Sequence, residues 1–190
     1  MNKDYITKWA WAIALIVVTV LVRVGDHMPN VAPVAAVALW AGAVLPVPWA
    51  LVVPLGAMLI ADSIIGFASL PVTISIYLSY GLMVLVGMWL GKKYSPWKLI
   101  GSSMFGAIIF YLMTNAAVWW FSGMYMRTWE GLLLSYYYAI PFFRNTFMGD
   151  IAYACGLFMA WQYLPVWVSA FVKNATQVNM RKNIGSKVDG

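Results

Sequence analysis

The chain has 190 residues, of which 63% are hydrophobic and only 9% are charged. Soluble domains carry about 25% charged residues, so this composition excludes a soluble globular protein and leaves no room for a separate soluble domain. The net charge of +6 does not indicate nucleic-acid binding, because the cations lie at the ends of hydrophobic segments, where they face lipid headgroups. The single cysteine, Cys155, excludes an internal disulfide and a cysteine-based zinc site.

A hydrophobic run opens the chain. Residues 9–22 carry no charge and lie between Lys8 and Arg23. No small-residue cleavage site follows, so the run predicts a retained membrane helix rather than a signal peptide. It is short for a hydrocarbon core of about 30 Å, but the flanking cations can reach the headgroups along their aliphatic stems.

A long uncharged run follows at residues 30–61. It exceeds one straight span and contains Pro46 and Pro48, which together end or sharply turn a helix. We therefore predict two helices in this part of the chain and one in each later hydrophobic segment. The predicted helices after the first are residues 31–45, 48–67, 72–90, 97–121 and 142–172.

The basic residues favour six spans over five. They cluster within residues 3–8, within residues 92–98 and from residue 173 onward. With six spans and a cytoplasmic N-terminus, all three clusters lie in the cytoplasm, as the positive-inside rule requires. The sequence therefore predicts an all-α, multi-pass protein of the bacterial inner membrane with both termini cytoplasmic. It forms a single membrane domain over residues 1–175, followed by a polar tail over residues 176–190.

The longest predicted connection, residues 122–141, then lies on the outer side of the membrane. Its middle part, residues 127–134, predicts a short interfacial helix. Thr128 is the expected N-terminal cap, and Glu130 places a negative charge in the first turn, where it suits the helix dipole.

Polar side chains capable of specific recognition concentrate in the outer half of the predicted bundle. A rise of about 1.5 Å per residue places Asp62, Asn115 and Asp150 toward the outer boundary, with Arg144 and Asn145 further out. A channel or a proton relay would place ionisable groups through the full depth of the membrane. This distribution instead predicts a cup that opens outward and is closed below.

These polar residues have two interpretations. Charges within a membrane are costly and either pair or serve function, so Arg144 forms a structural ion pair with Asp62 or Asp150, or these residues bind a ligand. Asn115 is a candidate for an interhelical hydrogen bond or a ligand contact. The single histidine, His27, is a candidate ligand of a metal centre in a cofactor, a pH sensor, or a solvated loop residue.

Aromatic residues crowd the region around the long connection. Trp119 and Tyr137 are candidates for stacking on a flat ligand and for hydrogen bonding to it. The alternative is an interfacial aromatic belt.

Small residues recur at four-residue spacing, as in Ala38 with Gly42 and Gly87 with Gly91. This spacing lets helix backbones approach closely. It serves either internal packing or contact with a partner subunit.

The chain lacks the motifs of common enzyme classes. It contains no P-loop, no H-E-x-x-H and no G-x-S-x-G sequence. We therefore predict no enzymatic activity, no resident cofactor and no metal site.

Four segments together resemble a known family. They are PNVAPVAA at residues 29–36, LIAD at residues 59–62 with Gly66, TNAAVW at residues 114–119, and PFFRNT at residues 141–146 leading to Gly149 and Asp150. The pattern resembles a family of uncharacterised bacterial membrane proteins, a domain of unknown function. That family looks related in fold to the substrate-binding S components of energy-coupling-factor transporters.

The resemblance implies a six-helix, S-component-like bundle that captures a vitamin- or cofactor-like solute from outside and passes it inward with the help of an ATPase-driven module. Ala10 and Ala14 are similar to the small-residue motif with which S components meet that module. The alternative function is a structural or assembly subunit without a small ligand. The candidate substrate-binding residues are His27, Asp62, Asn115, Trp119, Tyr137, Arg144, Asn145 and Asp150.

Overall fold

The computed structural model describes the backbone of residues 3–26, 28, 30–91 and 95–188, and the side chains of residues 6–26, 28, 30–91 and 95–164. Across these residues all regular structure is helical, which confirms the all-α class. The helices are α1 (Lys3–Val24), α2 (Val34–Val44), α3 (Val47–Ile65), α4 (Leu70–Leu90), α5 (Pro96–Phe121) and α6 (Trp129–Val188).

Within the described part of the chain, four helices are long and apolar enough to cross a membrane, judged by length and composition. Large apolar side chains on these helices are exposed, among them Leu21, Ile64 and Leu78. Contiguous exposed apolar surface of this kind is typical of helices that face lipid. The chain is therefore indicated to be a membrane protein. The four segments are Ile6–Val24, Val47–Ile65, Leu70–Leu90 and Pro96–Phe121.

The chain forms two compact units, Met1–Cys155 and Gly156–Gly190. The second unit consists of the C-terminal part of α6. The first contains the other five helices and the beginning of α6.

At the centre of the first unit lies α2, whose residues are all buried against α3, α4 and α5. A helix that is apolar on every side is buried on every side. Its 11 residues extend about 16 Å at 1.5 Å per residue, so α2 is too short to cross a bilayer.

The backbones of α2 and α4 meet where they cross. A methyl group added to Gly42 would collide with the carbonyl oxygen of Val84, and one added to Gly87 would collide with the backbone of Leu39. Only a residue without a side chain permits this approach on either helix. These two small residues therefore serve internal packing.

Paired prolines separate α2 from α3, as predicted. α2 ends at Val44 and α3 begins at Val47, with Pro46 in an extended conformation as the residue before the helix. Pro48 lies in the first turn of α3, where a missing backbone N–H leaves no helical hydrogen bond unmade. The predicted division of residues 30–61 into two helices is confirmed.

The predicted organisation of residues 122–172 is wrong. The expected interfacial helix at 127–134 and the expected span at 142–172 belong to one helix, α6, which passes through Pro141. A proline within a membrane helix is tolerated when neighbouring groups satisfy the backbone. The predicted cap is confirmed, since the backbone N–H of Gly131 donates to Thr128 Oγ1 over 3.2 Å.

Candidate functional site

A buried ion pair joins the last turns of α1 and α3. Arg23 Nη2 donates to Asp62 Oδ1 over 2.5 Å, and the side chains of Arg23 and Asp62 are only 19% and 10% exposed. The hydroxyl of Tyr77, on α4, donates to the other carboxylate oxygen, Oδ2, over 3.0 Å. Each oxygen of Asp62 therefore has a partner, and the pair holds α1, α3 and α4 together at one end of the first unit.

Packing explains why Arg23 is the partner of Asp62. α1 and α3 pack against each other, and both residues lie within one turn of the C-terminal ends of their helices, so they reach the same depth. The interpretation that pairs Asp62 with Arg144 is wrong, because Arg144 is exposed on α6. Arg23 reaches the same depth as Asp62 and pairs with its carboxylate.

A cavity of about 290 Å³ lies beside this ion pair, and we call it the polar cavity. Five helices and the connection before α2 contribute to its wall. Its volume is near the lower end of the range of about 300–1,000 Å³ for ligand pockets. The charged residues that line it are Arg23, Asp62 and Asp150, and the uncharged polar ones are Asn30, Thr73, Tyr80 and Thr146.

Asp150 is the least exposed charged residue of the polar cavity, at 4%. Its Oδ2 atom has no hydrogen-bond partner among the described residues. Buried polar atoms are nearly always hydrogen-bonded, so an unpartnered one calls for an explanation. The sequence predicted Asp150 as a site residue, and the structure places it in the same cavity as Asp62.

Two of the sequence motifs meet at Gly149, the residue before Asp150. A side-chain carbon on Gly149 would stand 3.2 Å from Val31 Cγ1, tighter than an ordinary contact. The segment that precedes α2 therefore lies directly against α6. Asn30 in that segment adopts φ +63°, an uncommon conformation for a residue other than glycine, and lines the polar cavity.

A second cavity of about 220 Å³ adjoins the first and shares Asn30, Ile76, Phe110 and Thr146 with it. Asn115 lines this second cavity. Its amide nitrogen donates to the carbonyl of Tyr111 over 2.8 Å, within α5. The backbone carbonyl of Asn115 also accepts from the hydroxyl of Ser135, on α6, over 3.0 Å.

Two predicted aromatic residues lie away from both cavities. The indole N–H of Trp119 donates to the carbonyl of Met126 over 3.0 Å and so fixes the connection after α5. Tyr137 is exposed, and its ring contacts that of Tyr138 edge-on with centroids 5.6 Å apart. Both positions suit an interfacial belt better than a ligand contact.

Two further predicted site residues, Arg144 and Asn145, do not join the cluster. Arg144 is exposed and Asn145 is half-buried, and neither lines either of the two cavities. His27 lies outside the described residues. Across the residues that the structure does describe, no group of three or more His, Cys, Asp or Glu side chains could hold a metal ion.

Sequence reasoning missed Arg23, Tyr77 and Tyr80 as members of this region. Arg23 was interpreted as a cation that flanks the first helix. The signal available was its depth, since Arg23 and Asp62 both lie within one turn of the ends of their helices. Tyr77 and Tyr80 lie about two and three turns into α4 and carry the polar tips that buried aromatic residues use for hydrogen bonding.

Comparison with known proteins gives one match. The model of a family of unknown function, DUF6580, matches residues 3–173. No curated protein and no solved structure matches the chain.

Proposed function

The chain belongs to DUF6580, a family of unknown function, and we propose that it is the substrate-capture subunit of a membrane uptake system, with the polar cavity as its binding site. In this proposal the protein resides in the bacterial inner membrane with cytoplasmic termini and six helices embedded in the membrane, of which α2 is too short to cross it alone. The end that holds Arg23, Asp62 and Asp150 then faces outward. The proposal assigns no enzymatic step to the chain.

One observation carries this proposal: a cavity with three charged residues lies within a bundle of otherwise apolar helices. Charged groups at membrane depth are costly, and they persist where they pair or where they contact a substrate. The charges of Arg23 and Asp62 neutralise each other, whereas Asp150 has no such partner among the described residues; Arg23 Nε and Asp150 Oδ2 are both buried there without a hydrogen bond. A cavity with a few convergent polar groups is the usual form of a small-molecule site.

The sequence motifs supply further support. Asn30 and Ala32 come from the first motif, Asp62 and Gly66 from the second, and Thr146 and Asp150 from the last, and all of these line the polar cavity. The remaining motif contributes Asn115 to the adjoining cavity. Segments more than a hundred residues apart thus converge on one place.

The size of the polar cavity limits the solute. Its volume of about 290 Å³ lies at the small end of the range of about 300–1,000 Å³ for ligand pockets. This favours a small vitamin-like solute over a large cofactor.

The filled core favours capture over conduction. Beyond the cavity, along α2 and α4, the interior contains large, fully buried apolar side chains such as Leu39, Trp40 and Met83. A channel needs a continuous polar or wettable path. A closed core instead fits a subunit that binds on one side and releases after a conformational change driven by a partner such as an ATPase-coupled module.

The exposed face of α1 suits contact with such a partner, because Ala10 and Ala14 both lie on it. Small residues on an exposed membrane face let another helix approach closely. The same face is the observation that favours the alternative function, an assembly subunit without a small ligand.

Native mass spectrometry of the protein, purified gently from its own membranes, tests both functions. Ala32→Leu places extra volume in the polar cavity, and Ala10→Leu makes the same change on the exposed face of α1. Capture predicts a small-molecule adduct on the wild type and on Ala10→Leu that is lost in Ala32→Leu. Bound polypeptides that are lost only in Ala10→Leu, with no small adduct on any form, would replace capture with the assembly function.

A further inference from the structure

The polar cavity has an unbalanced charge. Arg23 and Asp62 form a direct ion pair, and the second oxygen of Asp62 accepts from Tyr77. These two charges neutralise each other, although Arg23 Nε is buried without a hydrogen-bond partner among the described residues. The titratable group of the cavity that takes no part in this pair is Asp150.

Within the part of the chain that the structure describes, Asp150 forms no ion pair. Among the described residues, Arg23 is the one cation that lines the polar cavity, and it is bound to Asp62. Asp150 is 4% exposed, and its Oδ2 has no hydrogen-bond partner in the described part of the chain. A carboxylate buried without a partner is strongly disfavoured, and a positive charge placed beside it would remove that cost.

The surroundings of Asp150 suit an organic cation. The rings of Tyr80 and Phe110 line the same cavity, with centroids 5.3 Å apart. Aromatic faces attract cations through their quadrupoles, most strongly in desolvated sites. Asn30 and Thr146 add uncharged hydrogen-bonding groups that could orient the rest of the molecule.

We propose that the solute is a small organic cation whose positively charged nitrogen pairs with the Asp150 carboxylate. A cation brings the net charge of the three charged residues and the ligand to zero. A zwitterion leaves one uncompensated negative charge, and an anion leaves two. This inference rests on the proposed function, since it names the class of solute that the polar cavity binds.

A series of probes equal in size but different in charge tests the inference on the purified wild-type protein. Benzylamine, benzyl alcohol and benzoate share one ring and differ in the terminal group, and butylamine, butanol and butyrate repeat the comparison without the ring. Dissociation constants follow from the dependence of the thermal unfolding midpoint on probe concentration, because a ligand that binds the folded state stabilises it. We expect the amine of at least one series to bind at least tenfold more tightly than its alcohol, and the carboxylate to bind most weakly.

Two variants locate the charge. Asp150→Asn keeps the side-chain size and removes the charge, so we expect at least a tenfold loss of amine affinity and little change for the alcohol. Asp26→Asn makes the same change at an exposed carboxylate outside the cavity and should bind as the wild type does. The comparison of amine with alcohol on the wild type needs no variant, so poor folding of Asp150→Asn does not remove the test.

The outcomes separate the two proposals. An alcohol or a carboxylate that binds more tightly than its amine, and is excluded by Ala32→Leu, would overturn the cation inference and leave capture in the polar cavity standing. Amine affinity that survives Asp150→Asn unchanged would also overturn the inference. Absence of binding in both series, together with absence of a small-molecule adduct on the native protein, would overturn both.

Discussion

The crossing of α2 and α4 predicts opposite effects for two glycine substitutions in one helix. In Gly87→Ala the new methyl group would stand 2.9 Å from Leu39 Cα, and it would meet the Leu39 carbonyl oxygen more closely still. Gly81, also in α4, has no atom within 4 Å of the corresponding position. Both variants add one methyl group to α4, but only the methyl group at Gly87 meets a neighbouring helix.

The magnitude follows from the distances. Ordinary contacts begin at 3.4 Å, so Leu39 Cα alone requires α2 and α4 to separate by about half an ångström, and the closer carbonyl oxygen of Leu39 requires more. The obstructing atoms are backbone, so no rotamer change relieves the collision, and we place the cost near the upper end of overpacking, about 3 kcal/mol. Alanine stabilises a helix by about 1 kcal/mol relative to glycine, and this gain offsets part of the cost. Gly87→Ala should therefore lose about 2 kcal/mol of stability, while Gly81→Ala should gain up to about 1 kcal/mol.

Reversible unfolding in mixed micelles, followed by tryptophan fluorescence, measures both free energies. The expected gap between the two variants is about 3 kcal/mol. Equal stability of Gly87→Ala and Gly81→Ala would show that the α2 and α4 backbones do not touch. A loss in both variants would instead point to a requirement for glycine flexibility in α4.

Three further predictions concern the ion pair and the start of α6. Asp62→Asn leaves the partly buried guanidinium of Arg23 without its carboxylate, so we expect the free energy of unfolding to fall by about 3 kcal/mol. The double variant Arg23→Met/Asp62→Leu should recover most of this stability. A double variant no more stable than Asp62→Asn would contradict this expectation. Tyr77→Phe removes one hydrogen bond to a charged acceptor but keeps the ion pair, so we expect a smaller loss of about 1.5 kcal/mol in the same assay. Thr128→Ala removes the cap of α6, at about 1 kcal/mol. It should also raise the pKa of Glu130 toward its ordinary 4.5, because that pKa is lowered by a hydrogen bond from the backbone N–H of Glu130 and by one from the Thr128 side chain. Since the pKa is lower in the folded state, the stabilisation from Glu130 is present above its ordinary pKa and is lost as pH falls through the lowered value. NMR titration of the Glu130 carboxyl should show a higher pKa in Thr128→Ala than in the wild type. An unchanged pKa would contradict the role of Thr128.

Helix boundaries could be predicted where the local chemistry allows one outcome. Pro46 and Pro48 lie two residues apart, and no α-helix continues through such a pair, so the break between α2 and α3 was predictable. Pro141 has no second proline beside it, so the local signal for a break there is weaker. The helix continues through it, and the predicted boundary there is wrong.

The sequence was sufficient to predict where the candidate site lies, but not which arginine pairs with Asp62. Counting residues from the membrane boundary placed Asp62 and Asp150 at the same end, and the structure brings them to one cavity. The choice of Arg23 over Arg144 depends on which helices pack together, since both arginines lie toward that end of the chain's membrane segments. Side-chain partners across helices are set by tertiary contacts that hydropathy does not encode.

The burial of α2 has a consequence for the order in which the protein assembles. A hydrophobic segment of 11 residues is too short to be inserted as an independent span, so α2 must enter the membrane together with α3, its neighbour in sequence. Gly42 and Gly87 meet only after the intervening residues have been synthesised, and this closes a long loop at an entropic cost that local helix contacts do not carry. Until α4 arrives, the apolar helix that will become the centre of the fold faces lipid or the insertion machinery. The interior of the first unit can therefore be completed only after α4 has been synthesised. A nascent chain that stops before residue 87 lacks the contact between Gly42 and Gly87.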